Sequence, residues 1–262
     1  MKAIFLSDAH LQTQKDPGYN LLLRFFDLIK GEVDHLFIVG DFFDFWFCRK
    51  GVMYPDFRMI VDKLVELKKS GVHIYFCEGN HDFFLKDFFT DIHDMEVFSE
   101  CGVINLDGIR MLVSHGDTID RDNTGYLMLR KILRSGTFYR IQKKIPLFVL
   151  WKIARISSKI SNEHQGNPPK GLAEKMNTFA IEKFKEGFDS VILGHCHIPA
   201  IKRNTVGGRE KTFVILGDWI RHYSYLLYED GTFTLSFYNN YQDSPFRGNS
   251  SINIREIEKE IS

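Results

Sequence analysis

Short, fully apolar runs recur along the chain: Ala3-Ile4-Phe5-Leu6, Leu36-Phe37-Ile38-Val39, Ile74-Tyr75-Phe76-Cys77, Met111-Leu112-Val113 and Val191-Ile192-Leu193. Runs of this length without polar alternation suit strands covered on both faces. Between the first three, Leu21 to Ile29 and Phe57 to Leu67 bring apolar residues back at helical intervals. The order strand, helix, strand, helix, strand predicts a layered α/β core. Further along, Phe213 to Leu216, Tyr225 to Tyr228 and Phe233 to Phe237 crowd together, with Glu229-Asp230-Gly231 as a hairpin turn between the last two. That part is expected to be β-rich and antiparallel. No internal repeat and no Ser/Gly linker divides the chain, so one domain is expected over residues 1–262.

One stretch departs from this pattern. From Asn123 to Asn162 there is no Asp or Glu, while Arg130, Lys131, Arg134, Arg140, Lys143, Lys144, Lys152, Arg155 and Lys159 are all basic. With Gly136 and Pro146 as breaks it reads as an inserted, amphipathic helical cap at about 122–165. A solvated helix face is the plain reading of a charge run. The absence of any acid, with Leu147-Phe148-Val149-Leu150-Trp151 inside the stretch, favours a surface for an anionic lipid or nucleotide.

Composition narrows the classes. At 262 residues, 44% hydrophobic and 26% charged, the chain is an ordinary globular protein, which excludes disordered and small disulfide-stapled classes. Lys+Arg and Asp+Glu are equal at 34 each, so the whole-protein field gives no reason to expect nucleic acid as a partner. The four cysteines (Cys48, Cys77, Cys101, Cys196) form no CxxC pair, and Met1-Lys2-Ala3 leads into a strand-like run without a signal-peptide core, so a reducing cytoplasm is expected. No run approaches the roughly 18 to 20 apolar residues that span a bilayer. The best candidate, residues 145–156, is broken by Lys152 and Arg155.

The chemistry lies where the apolar runs end. They deliver, in order, Asp8-Ala9-His10, Gly40-Asp41, Gly79-Asn80-His81-Asp82, His115-Gly116-Asp117 and Gly194-His195-Cys196-His197. In open α/β sheets ligands bind beyond the carboxyl ends of strands, so clusters scattered in sequence converge on one crevice. Alternation in extended backbone would point Asp8 with His10, and His195 with His197, to one side, leaving Cys196 facing away. The glycines before Asp41, Asn80 and His195 are expected to permit positive φ and close approach to an ion or phosphate. Carboxylate, imidazole and amide ligands without thiolate suit a pair of divalent first-row ions, manganese first, with iron and zinc as alternatives. Two such ions about 3.5 to 4 Å apart neutralise a phosphoester or phosphoanhydride and generate its nucleophile. Asp41 would bridge them, and His81 beside Asn80 would donate a proton or hydrogen bond to the developing charge.

The blocks DxH, GD, GNHD, HGD and GHxH, in this order from Met1 to Asp218, resemble the calcineurin-like metallophosphoesterase family. The resemblance implies a double-layer β-sandwich flanked by helices. It also implies that Asp8, His10, Asp41 and His197 hold one metal and Asp41, Asn80, His115 and His195 the other, with His81 and Asn80 in catalytic roles. Within the family the chain looks most like the enzymes that cleave UDP-2,3-diacylglucosamine to UMP and 2,3-diacylglucosamine 1-phosphate in lipid A biosynthesis. Carrying that likeness are Gly40 to Trp46, His115-Gly116-Asp117-Thr118 followed by Asp122, the basic insertion, and Leu216-Gly217-Asp218-Trp219. It implies manganese as cofactor, a UDP-linked glycolipid as substrate, and a cap over the acyl chains. Asp122, Tyr126 and Lys170 would touch the sugar phosphate. The protein would sit in the cytoplasm, peripherally on the inner membrane's cytoplasmic face, and no obligate protein partner is evident. One departure stands out: many members of the narrower group carry Arg where this chain has His81. The competing expectations are a paralogue acting on another nucleotide diphosphate or phosphodiester, and a non-catalytic module, which every retained ligand argues against.

Overall fold

The computed structural model describes residues 1–162 and 171–238, with the backbone alone for residues 157–162. Strands β1 (Lys2–Leu6), β2 (His35–Val39) and β3 (His73–Cys77) alternate with helices α1 (Pro17–Ile29) and α2 (Arg58–Lys69). They pair in parallel, β1 to β2 to β3, as two successive β-α-β units must when the helix returns the chain to the same end. A short helix α3 (Lys86–Phe89) leads to β4 (Glu96–Phe98), which extends the sheet past β3. The hairpin of β10 (Ser224–Glu229) and β11 (Thr232–Phe237) closes its other edge. Asp230 and Gly231 between them have φ of 46° and 89°, as a two-residue hairpin turn of the mirror-image type requires.

The second sheet has the order β5 (Cys101–Leu106), β6 (Ile109–Ser114), β7 (Ser190–Leu193), β9 (Arg209–Ile215), β8 (Ala200–Val206). Here one expectation is corrected: β9, which carries Phe213 to Ile215, is antiparallel to β8 but parallel to β7. The uninterrupted apolar runs now have a cause, because strands of both sheets are buried on two faces. Ala3, Phe5, Phe37 and Val39 meet Met111, Val113, Ile192 and Val214 between the sheets. The alternate residues Ile4, Leu6, Leu36 and Ile38 pack under α1 and α2, while Val191, Leu193, Phe213 and Ile215 pack under α7 (Leu172–Lys185). Helix, sheet, sheet and helix layers thus form the expected sandwich, with the C-terminal ends of β1, β2, β3, β6 and β7 facing one rim.

Between β6 and α7 lie α4 (Thr124–Leu133), α5 (Gly136–Gln142) and α6 (Leu147–Asn162). The Asn123 and Ser135 side chains cap α4 and α5 by accepting from the N–H groups of Tyr126 and Phe138. Gly136 opens α5, and Pro146 immediately precedes α6. The loop after β2 ties this helical group down: Arg49 donates to the carbonyls of Gln142 and Ile145 at 3.0 and 2.9 Å, and the Trp151 indole donates to the Phe47 carbonyl at 3.1 Å.

Candidate metal centre

The loops leaving β1 and β2 are bonded to each other, Asp8 N–H to Gly40 C=O at 3.1 Å and His10 N–H to Asp41 C=O at 2.9 Å. This brings Asp8, His10 and Asp41 to one spot. The pairing of Asp8 with His10 and of His195 with His197 does not come from strand alternation, as the sequence suggested. Asp8, His10, Asp41, His195 and His197 all adopt left-handed backbone, with φ of 54°, 43°, 50°, 65° and 58°. Such conformations cost about 1–3 kcal/mol each and persist where surrounding structure over-determines them, typically at functional sites. The glycines also act differently from expectation. Gly40 is left-handed, but Gly79 and Gly194 matter for space: a Cβ on Gly79 would lie 2.2 Å from Asp41 Oδ1, and one on Gly194 2.9 Å from Asp8 Oδ2. They make room for carboxylates of the site rather than for an ion or phosphate.

Three overlapping groups of side chains converge here: Asp8, His10 and His197; His10, Asp44 and His81; and Asp41, His115 and His195. His197 Nε2 lies 3.2 Å from Asp8 Oδ1, and His115 Nε2 lies 3.4 Å from Asp41 Oδ2 and 3.1 Å from Asn80 Oδ1. His10 Nε2 is 3.6 Å from Asp41 Oδ2, which puts Asp41 between the first group and the third. All seven residues proposed as ligands from the sequence are therefore neighbours. His115 Nδ1–H donates to the Val39 carbonyl at 3.1 Å, which fixes Nε2 as the nitrogen free to ligate.

The electrostatics suit a divalent cation. Asp8 and Asp41 are 0% and 1% exposed. Burial alone would raise their pKa values, yet His197 and His115 hold Asp8 below its ordinary value, and His115 and His81 hold Asp41 well below it. For His115, burial is outweighed by Asp41 and Asp8, and its pKa is pushed up to about 10; Asp8 likewise raises that of His197. His195 is pushed down to about 4 by burial and by His115. The carboxylates thus draw on the neighbouring imidazoles for countercharge, a role that a bound cation would take over, with the histidines as neutral ligands. Asp8 Oδ1 and His10 Nε2 are buried without a hydrogen-bond partner, as metal-facing atoms would be. The residues fit a pair of divalent ions.

Behind this layer lie Asp82 and Asp44, whose partners the sequence did not disclose, and Asp218, which the sequence offers either as a partner orienting a histidine or as a turn residue. Asp82, fully buried, accepts from the backbone N–H groups of Asp41, Phe42, Phe43 and Gly79 at 2.8 to 3.0 Å. Asp44, also buried, places Oδ1 3.5 Å from His10 Nδ1 and 3.6 Å from His81 Nδ1, while its carbonyl accepts from His81 Nδ1–H at 3.0 Å. Asp218 caps the N–H groups of Ile220, Arg221 and His222 and lies 3.9 Å from His197 Nδ1, so it is both a turn residue and a neighbour of the site. Spacing signals existed for Asp44 and Asp82 inside the Gly40 to Trp46 and Gly79 to Asp82 blocks.

The remaining sequence candidates are placed less centrally. The Tyr126 hydroxyl donates to Asp117, two residues beyond His115. Asp122 is exposed and paired with Lys175 at 2.6 Å, and Lys170 lies outside the described residues. Cys196 is buried in the cluster beneath α7, away from the ligands, as expected. Phe42, Phe43, Phe45 and Trp46 belong to the core under the helices. Trp46 also lines a groove with Phe47, Phe84, Tyr139, Leu147 and Leu150, between the loop after β2 and the helical group.

Known proteins resemble this one across most of its length. Residues 1–199 match the calcineurin-like phosphoesterase family. A Pseudomonas putida protein named UDP-2,3-diacylglucosamine hydrolase is 32% identical over 83% of this chain and 91% of its own length. One of the same name from Aliivibrio fischeri is 29% identical over 90% of this chain and 98% of its own. Among solved structures, one described as a novel archaeal phosphodiesterase has a TM-score of 0.47 at 15% identity, covering 91% of this chain and 100% of that one. With the family model matching residues 1–199, which include all seven residues gathered at the rim, the chain belongs to the calcineurin-like phosphoesterases, metal-dependent hydrolases built around a dinuclear divalent centre.

Proposed function

We propose that this protein hydrolyses the diphosphate of UDP-2,3-diacylglucosamine to UMP and 2,3-diacylglucosamine 1-phosphate, with manganese as its metal, at the cytoplasmic face of the inner membrane. The observation that carries the reading is a groove between the loop after β2 and α5 and α6, with Trp46, Phe47, Leu147 and Leu150 on its wall beside the polar Arg49, Asp87 and Lys143, on a chain whose relatives are named for that substrate. Asp8, His10, Asp41 and His197 would hold one ion, and Asp41, Asn80, His115 and His195 the other. When bound, such a pair offsets phosphate charge and lowers the pKa of water, supplying the nucleophile.

The chain's own residues do the rest. His81 commits Nδ1–H to the Asp44 carbonyl, so Nε2 is the ring atom left for substrate. Burial would lower its pKa, but the Asp41 and Asp44 carboxylates keep it above its ordinary value. Protonated, it donates to a phosphoryl oxygen or to the departing group as negative charge develops. Tyr126, Asp122 and Lys170 are proposed as sugar-phosphate contacts. An acyl chain would follow the groove past Trp46 and Phe47.

The membrane reading rests on the cap surface. Met128, Leu129, Ile132, Phe148, Ile153 and Ile156 are all more than half exposed on α4 and α6, within the stretch that lacks any acid. Apolar side chains among basic ones suit an interface with anionic lipid. Among the described residues no helix is long and apolar enough to cross a membrane.

A second reading, a paralogue acting on another nucleotide diphosphate or phosphodiester, is favoured by His81 in place of Arg. The two separate by comparing kcat/KM for UDP-2,3-diacylglucosamine and UDP-N-acetylglucosamine. Burying even one acyl chain is worth about 0.8 kcal/mol per CH₂, so the acylated substrate should win by at least about 100-fold. Equal values would select the second reading.

A further inference from the structure

Helix α4 touches the metal loops as well as covering them. Tyr126, Arg130 and Arg134 recur at intervals of four, which puts them on one helix face. That face is turned inward, opposite the exposed Met128 and Ile132. The Tyr126 hydroxyl and Arg130 Nε, the latter at 2.6 Å, both donate to Asp117 Oδ2, two residues after His115. Arg130 also grips Glu100 through both terminal nitrogens at 3.0 Å.

Arg134, at the end of the helix, reaches further in. Its Nη2 donates to the Gly79 carbonyl at 2.6 Å, and its Nη1 to Glu78 Oε2 at 3.1 Å and the Ser99 carbonyl at 2.9 Å, while the guanidinium lies over the Phe83 ring. Glu78 and Arg134 side chains are 5% and 11% exposed. The Gly79 carbonyl belongs to the peptide that carries Asn80. Gly79 itself is bounded by Asp41 on its other side, with its N–H on Asp82 and no space for even a Cβ before Asp41 Oδ1. Rotation of that peptide would move Asn80 away from His115 and press Gly79 against Asp41.

We infer that Arg134 is a positioning residue for the dinuclear site: from the cap, it fixes the Gly79–Asn80 peptide and through it the Asn80 amide and the Asp41 carboxylate. The site is therefore completed by the cap, and a substrate that reseats α4 alters the metal ligands directly. Lysine cannot replace this arginine, because a single ammonium does not match three acceptors held in a planar fork. The inference rests on the metal-site reading above.

The test uses full-length Arg134→Lys and the pair Arg134→Met with Glu78→Gln, the latter removing both buried charges together in case a lone uncompensated Glu78 prevents folding. Circular dichroism and thermal melting check the fold. Isothermal titration with manganese should show both sites in wild type and about a 10- to 100-fold weaker second site in either variant. With bis(p-nitrophenyl) phosphate, which does not need the cap, kcat should fall by a similar factor at saturating manganese while KM is unchanged. Glu100→Gln, which loosens the exposed part of the same clamp, should leave manganese affinity unchanged. Folded variants with wild-type manganese affinity and wild-type kcat on the small diester would overturn the positioning role, and loss confined to the acylated substrate would reassign Arg134 to cap closure. A wild-type protein that takes up no manganese would instead refute the metal reading on which the inference stands.

Discussion

Four backbone N–H groups, those of Asp41, Phe42, Phe43 and Gly79, end on one buried carboxylate, Asp82. Asp82→Asn would turn an amide toward these donors and strand at least one of them, at about 1–3 kcal/mol for each buried group left unpaired. The variant is expected to show that loss in urea denaturation, together with weaker manganese binding, because the turn that presents Asp41 is what those bonds hold. Gly79→Ala is a sharper probe: with Asp41 Oδ1 2.2 Å from the added carbon, something must move. It should cost about 1–3 kcal/mol of stability and abolish turnover, whereas a tolerant, fully active Gly79→Ala would contradict the packing described. The convergence of the residues proposed as ligands was legible in the sequence because each lies just past an apolar run. Asp44 and Asp82 stood inside the quoted blocks, but their partners, like those of Arg134, did not show, because these contacts join loops 34 to 56 residues apart in sequence. No local pattern encodes such pairs.

At the scale of elements, the helical group from α4 to α6 has two faces with different work. Its inner face carries the arginines and the groove, and its outer face carries Phe148, 69% exposed, and Ile153. Replacing both by Glu should reduce sedimentation with vesicles containing phosphatidylglycerol, since burying one such side chain is worth about 2 kcal/mol, while kcat on the small diester stays constant. Unchanged vesicle binding would show that the bilayer is met elsewhere. The helices were readable in the sequence from Gly136, Pro146 and the charge pattern, whereas α7 and β8 were not. The buried face of α7 interleaves Leu172, Met176 and Phe184 with the small Ala173 and Ala180, which dilutes its apolar stripe. β8 is an edge strand with one buried residue, Ala200, and so presents no apolar run.

At the scale of the whole molecule, two sheets packed face to face bring five strand ends to one rim, and the convergence of scattered Asp and His residues follows from that packing. The arrangement concentrates buried carboxylates whose pKa values neighbouring histidines hold below the ordinary value. Metal should relieve this, so chelation with EDTA is expected to lower the melting temperature. Saturation at 100 times Kd contributes about 2.7 kcal/mol, or roughly 5–10 °C for a chain of this size. An unchanged melting temperature would mean that the centre does not bind ions as described.

The central claim is the reaction itself. It is tested most directly by mass spectrometry of the products formed from UDP-2,3-diacylglucosamine by purified protein with manganese, alongside His197→Ala. The account predicts UMP and 2,3-diacylglucosamine 1-phosphate from wild type and neither from the variant. Intact substrate in the presence of wild-type protein that cleaves a small phosphodiester would contradict the substrate assignment, and equal turnover by His197→Ala would contradict the site.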